Sequence, residues 1–189
     1  MVIYETDTDR AMVWNNSAWV VLSTGRANSL GLDLIKTQTI GSAVSSVTVS
    51  DVFSSTYDNY KIVVSGGTST GWTTLRLQIG SSTTGYYVAR ASTSYAGTAS
   101  PAGLANGTEF IYIGTAAPNT NSANIDVQSP NLAKKTVVTS QDAAAVTTGE
   151  ATFATGFLND DIQHTSFKLF VSGQTLTGGT IAVYGYAKN

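Results

Sequence analysis

The feature that most constrains this chain is an alternation of apolar and polar residues with a period of two, repeated along most of its length. Successive side chains of a strand point to opposite faces, so such a stretch offers one face to a core and the other to solvent. In "WTTLRLQIG", Leu75, Leu77 and Ile79 fall on one face, with Arg76 and Gln78 opposite. "SVTVSDVF" places Val47 and Val49 together, and "FKLFVSG" sets Phe167, Leu169 and Val171 against Lys168 and Phe170. "EFIYIG" puts Ile111 and Ile113 against Phe110 and Tyr112, and "YKIVVSG", "ANIDVQS", "KKTVVTS", "EATFATGFL" and "GTIAVYGYA" continue the pattern. At least eight strands follow residue 30, separated by Gly, Asn and Ser turn signals. Helical periodicity is almost absent, with a single turn expected near residues 158–162. The number and spacing of the strands predict an all-β fold: an antiparallel two-sheet β-sandwich, jelly-roll-like, rather than an α/β domain. Residues 81–107 and 116–123 read as irregular, the first carrying scattered tyrosines.

The first 23 residues stand apart. "YETDTDRAMVWNNSAWVVLS" reads as two short strands joined by a polar turn, a β-hairpin appendage on a sandwich of residues 32–189, with residues 24–31 as linker. An isolated hairpin is at best marginally stable in water. Alternation puts Met12 and Trp14 on one face with Val13 opposite, and Trp19 and Val21 on one face with Val20 and Leu22 opposite. Apolar groups on two faces imply burial by something beyond one neighbouring surface. Met12, Trp14, Trp19 and Val21 are therefore the expected partner-docking residues.

Composition narrows the function. Charged residues make up 12% of the chain and the net charge is −2. A nucleic-acid binder would show a basic stripe to meet phosphate, and here the densest basic spot is the pair Lys134–Lys135. Nucleic acid is not expected as a partner. Nor is membrane insertion, since no apolar run approaches the roughly 20 residues a spanning helix needs. The acidic start, "MVIYETDTDR", lacks the apolar stretch of a signal peptide. The chain has no cysteine, so robustness must come from β pairing and subunit burial, and the uncharged surface favours a homo-oligomer.

Chemistry is poorly supported. The one histidine, His164, lies beside Asp160 and Asp161 in "LNDDIQHTSF", and the three read as a solvated turn, dispensable for function. Metal sites need three or four ligands held by further partners. Asp7 and Asp9 in "TDTDR" lack the remaining ligands of a calcium loop, and the glycines of "SGGTSTG" are followed by no Lys-Ser/Thr pair of a phosphate loop. Glu5, Glu109, Asp126, Asp142 and Glu150 are scattered without the signature of a glycosidase pair, and no Gly-x-Ser-x-Gly elbow is present. No catalytic residue, metal or cofactor is expected. Sugar binding is the surviving site chemistry, because aromatics stack on apolar sugar faces. Trp72, Tyr86, Tyr87 and Tyr95, in or beside the loop-rich segment, are the candidate glycan contacts, while Tyr57 and Tyr60 read as core or corner residues.

The opening "YETDTDRAMVWNNSAWVVLS" resembles a module of tailed-bacteriophage virion proteins. "SSVTVSDVFSSTYDNYKIVVSG" and the closing "GGTIAVYGYAK" resemble the small β-sandwich domains of phage fibre and virion surface proteins, of the cyanophage or marine-phage kind. The resemblance covers both ends of the chain and leaves the middle unmatched. It implies a non-enzymatic structural protein on the exterior of the virion, commonly a homotrimer, contacting other virion proteins and a host surface glycan. The absence of a long shaft favours a short tail fibre, knob or capsid decoration. The alternative is a carbohydrate-binding or carbohydrate-active β-sandwich module.

Overall fold

The computed structural model describes residues 2–5, 10–23 and 31–188. Its internal contacts divide the chain into an N-terminal unit ending at Gly31 and a body of Leu32–Lys188. The linker expected at residues 24–31 falls almost wholly outside the described residues, as do Asp7 and Asp9.

The N-terminal unit is a three-stranded antiparallel sheet, one strand more than the expected hairpin. β1 (Val2–Glu5) pairs with β2 (Arg10–Trp14), which pairs with β3 (Trp19–Ser23). The start "VIYE" was legible as β-forming, with Val, Ile and Tyr in succession; it joins the sheet because β2 has a free edge that a third strand can satisfy. The β2–β3 turn is held by Asn15, whose side-chain oxygen accepts from the backbone N–H groups of Ser17 (3.1 Å) and Ala18 (2.9 Å).

The body consists of strands β4 (Leu32–Thr39), β5 (Ser46–Val49), β6 (Asn59–Gly66), β7 (Thr68–Ser69), β8 (Thr73–Ile79), β9 (Tyr86–Ser94) and β10 (Ala102–Gly107), followed by β11 (Phe110–Ala116), β12 (Asn121–Gln128), β13 (Thr136–Ala143), β14 (Glu150–Leu158), β15 (Phe167–Phe170), β16 (Leu176–Thr177) and β17 (Thr180–Tyr186). The fold is the expected all-β sandwich. One layer runs β10-β9-β14-β13-β12-β6-β17-β4, the other β11-β8-β15-β5, and every pairing is antiparallel. The β11–β12 hairpin pairs only beside its turn, Thr115 with Ser122 and Ala116 with Asn121, and beyond these pairs the two strands part into different layers.

The inward rows form the core: Leu75, Leu77 and Ile79 of β8 and Phe167 and Leu169 of β15 face Tyr60, Ile62 and Val64 of β6 and Ile181 and Val183 of β17. Phe53 sits at its centre, its ring 4.8 Å from Tyr60 and 5.8 Å from Phe167. Tyr60 is a corner residue as expected: its hydroxyl accepts from the Ser54 N–H and donates to the Ser54 carbonyl, both at 2.7 Å. Tyr57, half-buried, donates to Asp33 at 2.9 Å.

Three expectations fail in the body. Residues 81–107 are largely ordered strand, because β9 is registered with β14 over nine consecutive residues and that ladder overrides the weak β preference of Ala and Ser. In β11 the alternation breaks: Phe110 and Ile113 are buried while Ile111 and Tyr112 are partly exposed. Tyr112 adopts φ +66° and the register with β8 slips between Phe110 and Gly114, a bulge that shifts the inward side by one residue. No helical turn forms at residues 158–162; β14 runs to Leu158 and an irregular segment follows.

Tyr86 is also part of the core, which removes it from the candidate glycan contacts. It is fully buried, its ring edge-on to Phe110 at 4.9 Å. Its hydroxyl accepts from the Ile79 N–H at 2.9 Å and donates to the Ser82 carbonyl at 2.9 Å. Burial, foremost, pushes the phenol up to about 12, with Asp160 and Glu109 adding repulsion. A raised folded pKa means that the stabilisation is fully present below about pH 10 and is lost as pH climbs through about 12. Alkaline titration followed by circular dichroism should show this loss, on the order of 2–3 kcal/mol. Tyr86→Phe should start about 1–3 kcal/mol less stable, because Ile79 N–H and the Ser82 carbonyl lose a partner, and should flatten the slope above pH 10. A slope unchanged in the variant would assign the transition to other groups.

Candidate functional site

Backbone register brings the expected docking residues of the N-terminal unit together. Trp14 pairs directly with Trp19, and Met12 lies opposite Ile3 on one side and Val21 on the other. The two indoles meet edge-on, centroids 5.6 Å apart at 62°. Ile3, Met12, Trp14 and Trp19 thus share a face, while Val2, Val13 and Val20 occupy the other. Among its described residues the unit has no second layer, so neither face is covered from within it. Trp14 remains 43% exposed.

The aromatics read as glycan contacts do not converge. Tyr86 is in the core. Tyr87 lies on the outer face of the larger layer, stacked on Phe157 at 4.9 Å with the rings 5° from parallel. Tyr95 is exposed on the β9–β10 connection, its hydroxyl donating to the Ala144 carbonyl at 2.8 Å. Trp72, 50% exposed, stands at the rim of a cleft between the layers.

That cleft gathers the polar side chains the sequence left scattered. Arg90, from the inward row of β9, donates to Glu150 of β14 at 2.5 Å and lies 4.3 Å from the centre of the Tyr112 ring. Asp142 of β13 accepts from the Ser122 hydroxyl at 2.5 Å and from the Thr115 hydroxyl. The bulge that gives Tyr112 its positive φ is what turns its ring beneath Arg90. Sequence distance hid the cluster, since Arg90 and Glu150 are brought together only by the β9–β14 register. The cleft leaves about 10 Å³ of free space, too little for a sugar ring. Its charges close the open edge of the sandwich on one another.

The His164 group is not the solvated turn the sequence suggested. His164 is buried, its Nε2 3.2 Å from Asp160, and Asp160 accepts from the Ser82 hydroxyl at 2.6 Å. The His164 N–H donates to the Pro130 carbonyl and its own carbonyl accepts from Asn131, each at 2.8 Å. Only Asp161 is exposed, 3.7 Å from Lys135. This group pins residues 159–166 to two other connections. His164→Ala should therefore cost about 2–3 kcal/mol in thermal or denaturant unfolding, whereas Asp161→Ala should stay within about 0.5 kcal/mol of the parent. Equal effects of the two would contradict this division. Among the described residues, no group of three or more His, Cys, Asp or Glu side chains is placed to hold a metal ion.

No protein-family model matches the chain, and no curated protein matches it.

Proposed function

We propose that the protein is a non-enzymatic structural component on the exterior of a phage virion, a short tail fibre, knob or capsid decoration assembled as a homotrimer. In this reading the N-terminal sheet docks on another virion protein, and the body is turned toward the host surface. The observation that carries the reading is the N-terminal unit: a single-layer sheet with apolar side chains on both faces gains stability only when other protein covers it. The resemblance of both chain ends to virion proteins points the same way. Immunogold labelling of intact particles tests it; labelling on the outside of the particle is expected. A protein absent from purified particles would overturn the proposal.

A carbohydrate-binding module is the second reading, favoured by the indole of Trp72 alone, whose 50% exposure leaves aromatic surface outside the filled cleft. It requires glycan binding that Trp72→Ala removes while unfolding is unchanged.

A further inference from the structure

On β14 the period-two pattern runs opposite to a simple core-facing strand. Ala154 and Leu158 point inward, and the two phenylalanines, Phe153 and Phe157, point out. Phe153 is 47% exposed. The neighbouring strands continue this outer face in register. Tyr87, Phe157 and Val137 form one row across β9, β14 and β13, and Ala89, Thr155 and Thr139 form the next. Ala91, Phe153 and Gln141 follow, and Thr93, Ala151 and Ala143 complete the set. None of these twelve outward positions is charged. Lys135 stands at one rim, and Asp142, already engaged by two hydroxyls, lines the depression at the other.

Two further features single out this part of the sheet. Its relief alternates: the rows bearing Phe157 and Phe153 stand proud of rows of Ala and Thr, with shallow, open depressions beside them. The adjoining edge strand, β10, reads "AGLANG" and has no charged residue, whereas β4 at the opposite edge carries Asp33 and Lys36. Edge strands open to solvent are ordinarily blunted by charge. β4 follows that rule and β10 breaks it.

We infer that the outer face of β9, β14 and β13, with the β10 edge, is the surface on which copies of this chain pack against each other. A second copy is the fitting occupant because the surface complements itself: it offers no charge, so its counterpart must need none, and the alternation of tall and short rows lets ridges of one copy enter grooves of the next. The twelve positions span about 400 Å², from strand spacings of about 4.8 Å and row spacings of about 6.8 Å. That is about half of one partner's share in a standard interface, and β10 and the rims extend it. The inference rests on the homo-oligomer part of the proposed function and names the surface that builds it.

The test is sedimentation equilibrium of the full chain at micromolar concentration. The parent should be an oligomer, and Phe153→Asp should weaken association at least tenfold with an unchanged far-UV spectrum. Ala91→Lys, exposed in the same row, should do likewise and stands in should Phe153→Asp fail to fold. Thr48→Lys, on the other layer, should leave association intact. A parent oligomer that survives both substitutions overturns this surface alone; a monomeric parent overturns it together with the homo-oligomer reading. If Phe153→Asp blocks incorporation into particles while the free parent is monomeric, the face belongs to a different protein and the inference is wrong.

Discussion

Gly67→Ala is expected to lower the stability of the body by about 3–5 kcal/mol, at the upper end of single-substitution effects. β6 and β17 are neighbours in the larger layer and leave it together, β6 running into β7 and β17 entered from β16. Both segments turn on paired glycines, Gly66–Gly67 and Gly178–Gly179, all four with φ between +66° and +84°. The backbones approach so closely that a Cβ at Gly67 would lie 2.1 Å from the Gly178 carbonyl oxygen, and one at Gly179 would lie 2.5 Å from that of Gly66. An alanine there meets rigid backbone in addition to the roughly 1–2 kcal/mol cost of a left-handed conformation. Gly173, with φ +71° and nothing within 4 Å of its added Cβ, is the control: Gly173→Ala should show the conformational cost alone. Scanning calorimetry should place Gly67→Ala roughly 6–20 °C below the parent, since each kcal/mol shifts a domain of this size by about 2–4 °C. A Gly67→Ala midpoint equal to that of Gly173→Ala would show that the crossing relaxes without loss.

The second large effect is functional. On the proposed virion role, Trp14→Ala combined with Trp19→Ala should leave the body folded and abolish incorporation into particles. The two indoles are a directly registered pair, and together with Met12 they make up most of one apolar face of the N-terminal sheet. Burying a tryptophan removes roughly 150–250 Å² from water, worth about 4–6 kcal/mol at 25 cal/mol per Å² as an upper estimate. Losing two such anchors would weaken docking by several orders of magnitude. The body has its own core of aliphatic and aromatic residues, so its unfolding midpoint should move by no more than about 2 °C. Normal incorporation of the double variant, with a lowered midpoint, would instead make the indoles part of the chain's own stability.

Strand content, the antiparallel sandwich and much of its core were legible in the sequence, because alternation in β8, β12 and β15 directly records which side chains meet water. "TTLRLQI" could hardly be anything but a half-buried strand. The legible part ended where a residue's place depends on a distant partner. Beyond Val88, β9 is mostly Ala, Ser and Thr, and β10 reads "AGLANG"; their weak preference became strand only because β9 pairs with β14, some sixty residues along the chain, and β10 then pairs with β9. Tyr86 and Tyr87 are adjacent and chemically identical, and the pleat alone sends one into the core and the other onto the outer face. His164 looked solvated because its neighbours in sequence are mostly polar, whereas in the fold its ring meets Asp160 and the backbone at Gly80, and its N–H meets the Pro130 carbonyl. The proposed docking face was half visible: alternation assigned Met12 and Trp14 to one face and Trp19 and Val21 to one face, but only the register could make those faces the same. Local pattern determines which residues can be strand and which way each side chain points relative to its neighbours. Long-range pairing sets the register and the layer, and therefore decides which of those faces becomes core and which is left for a partner.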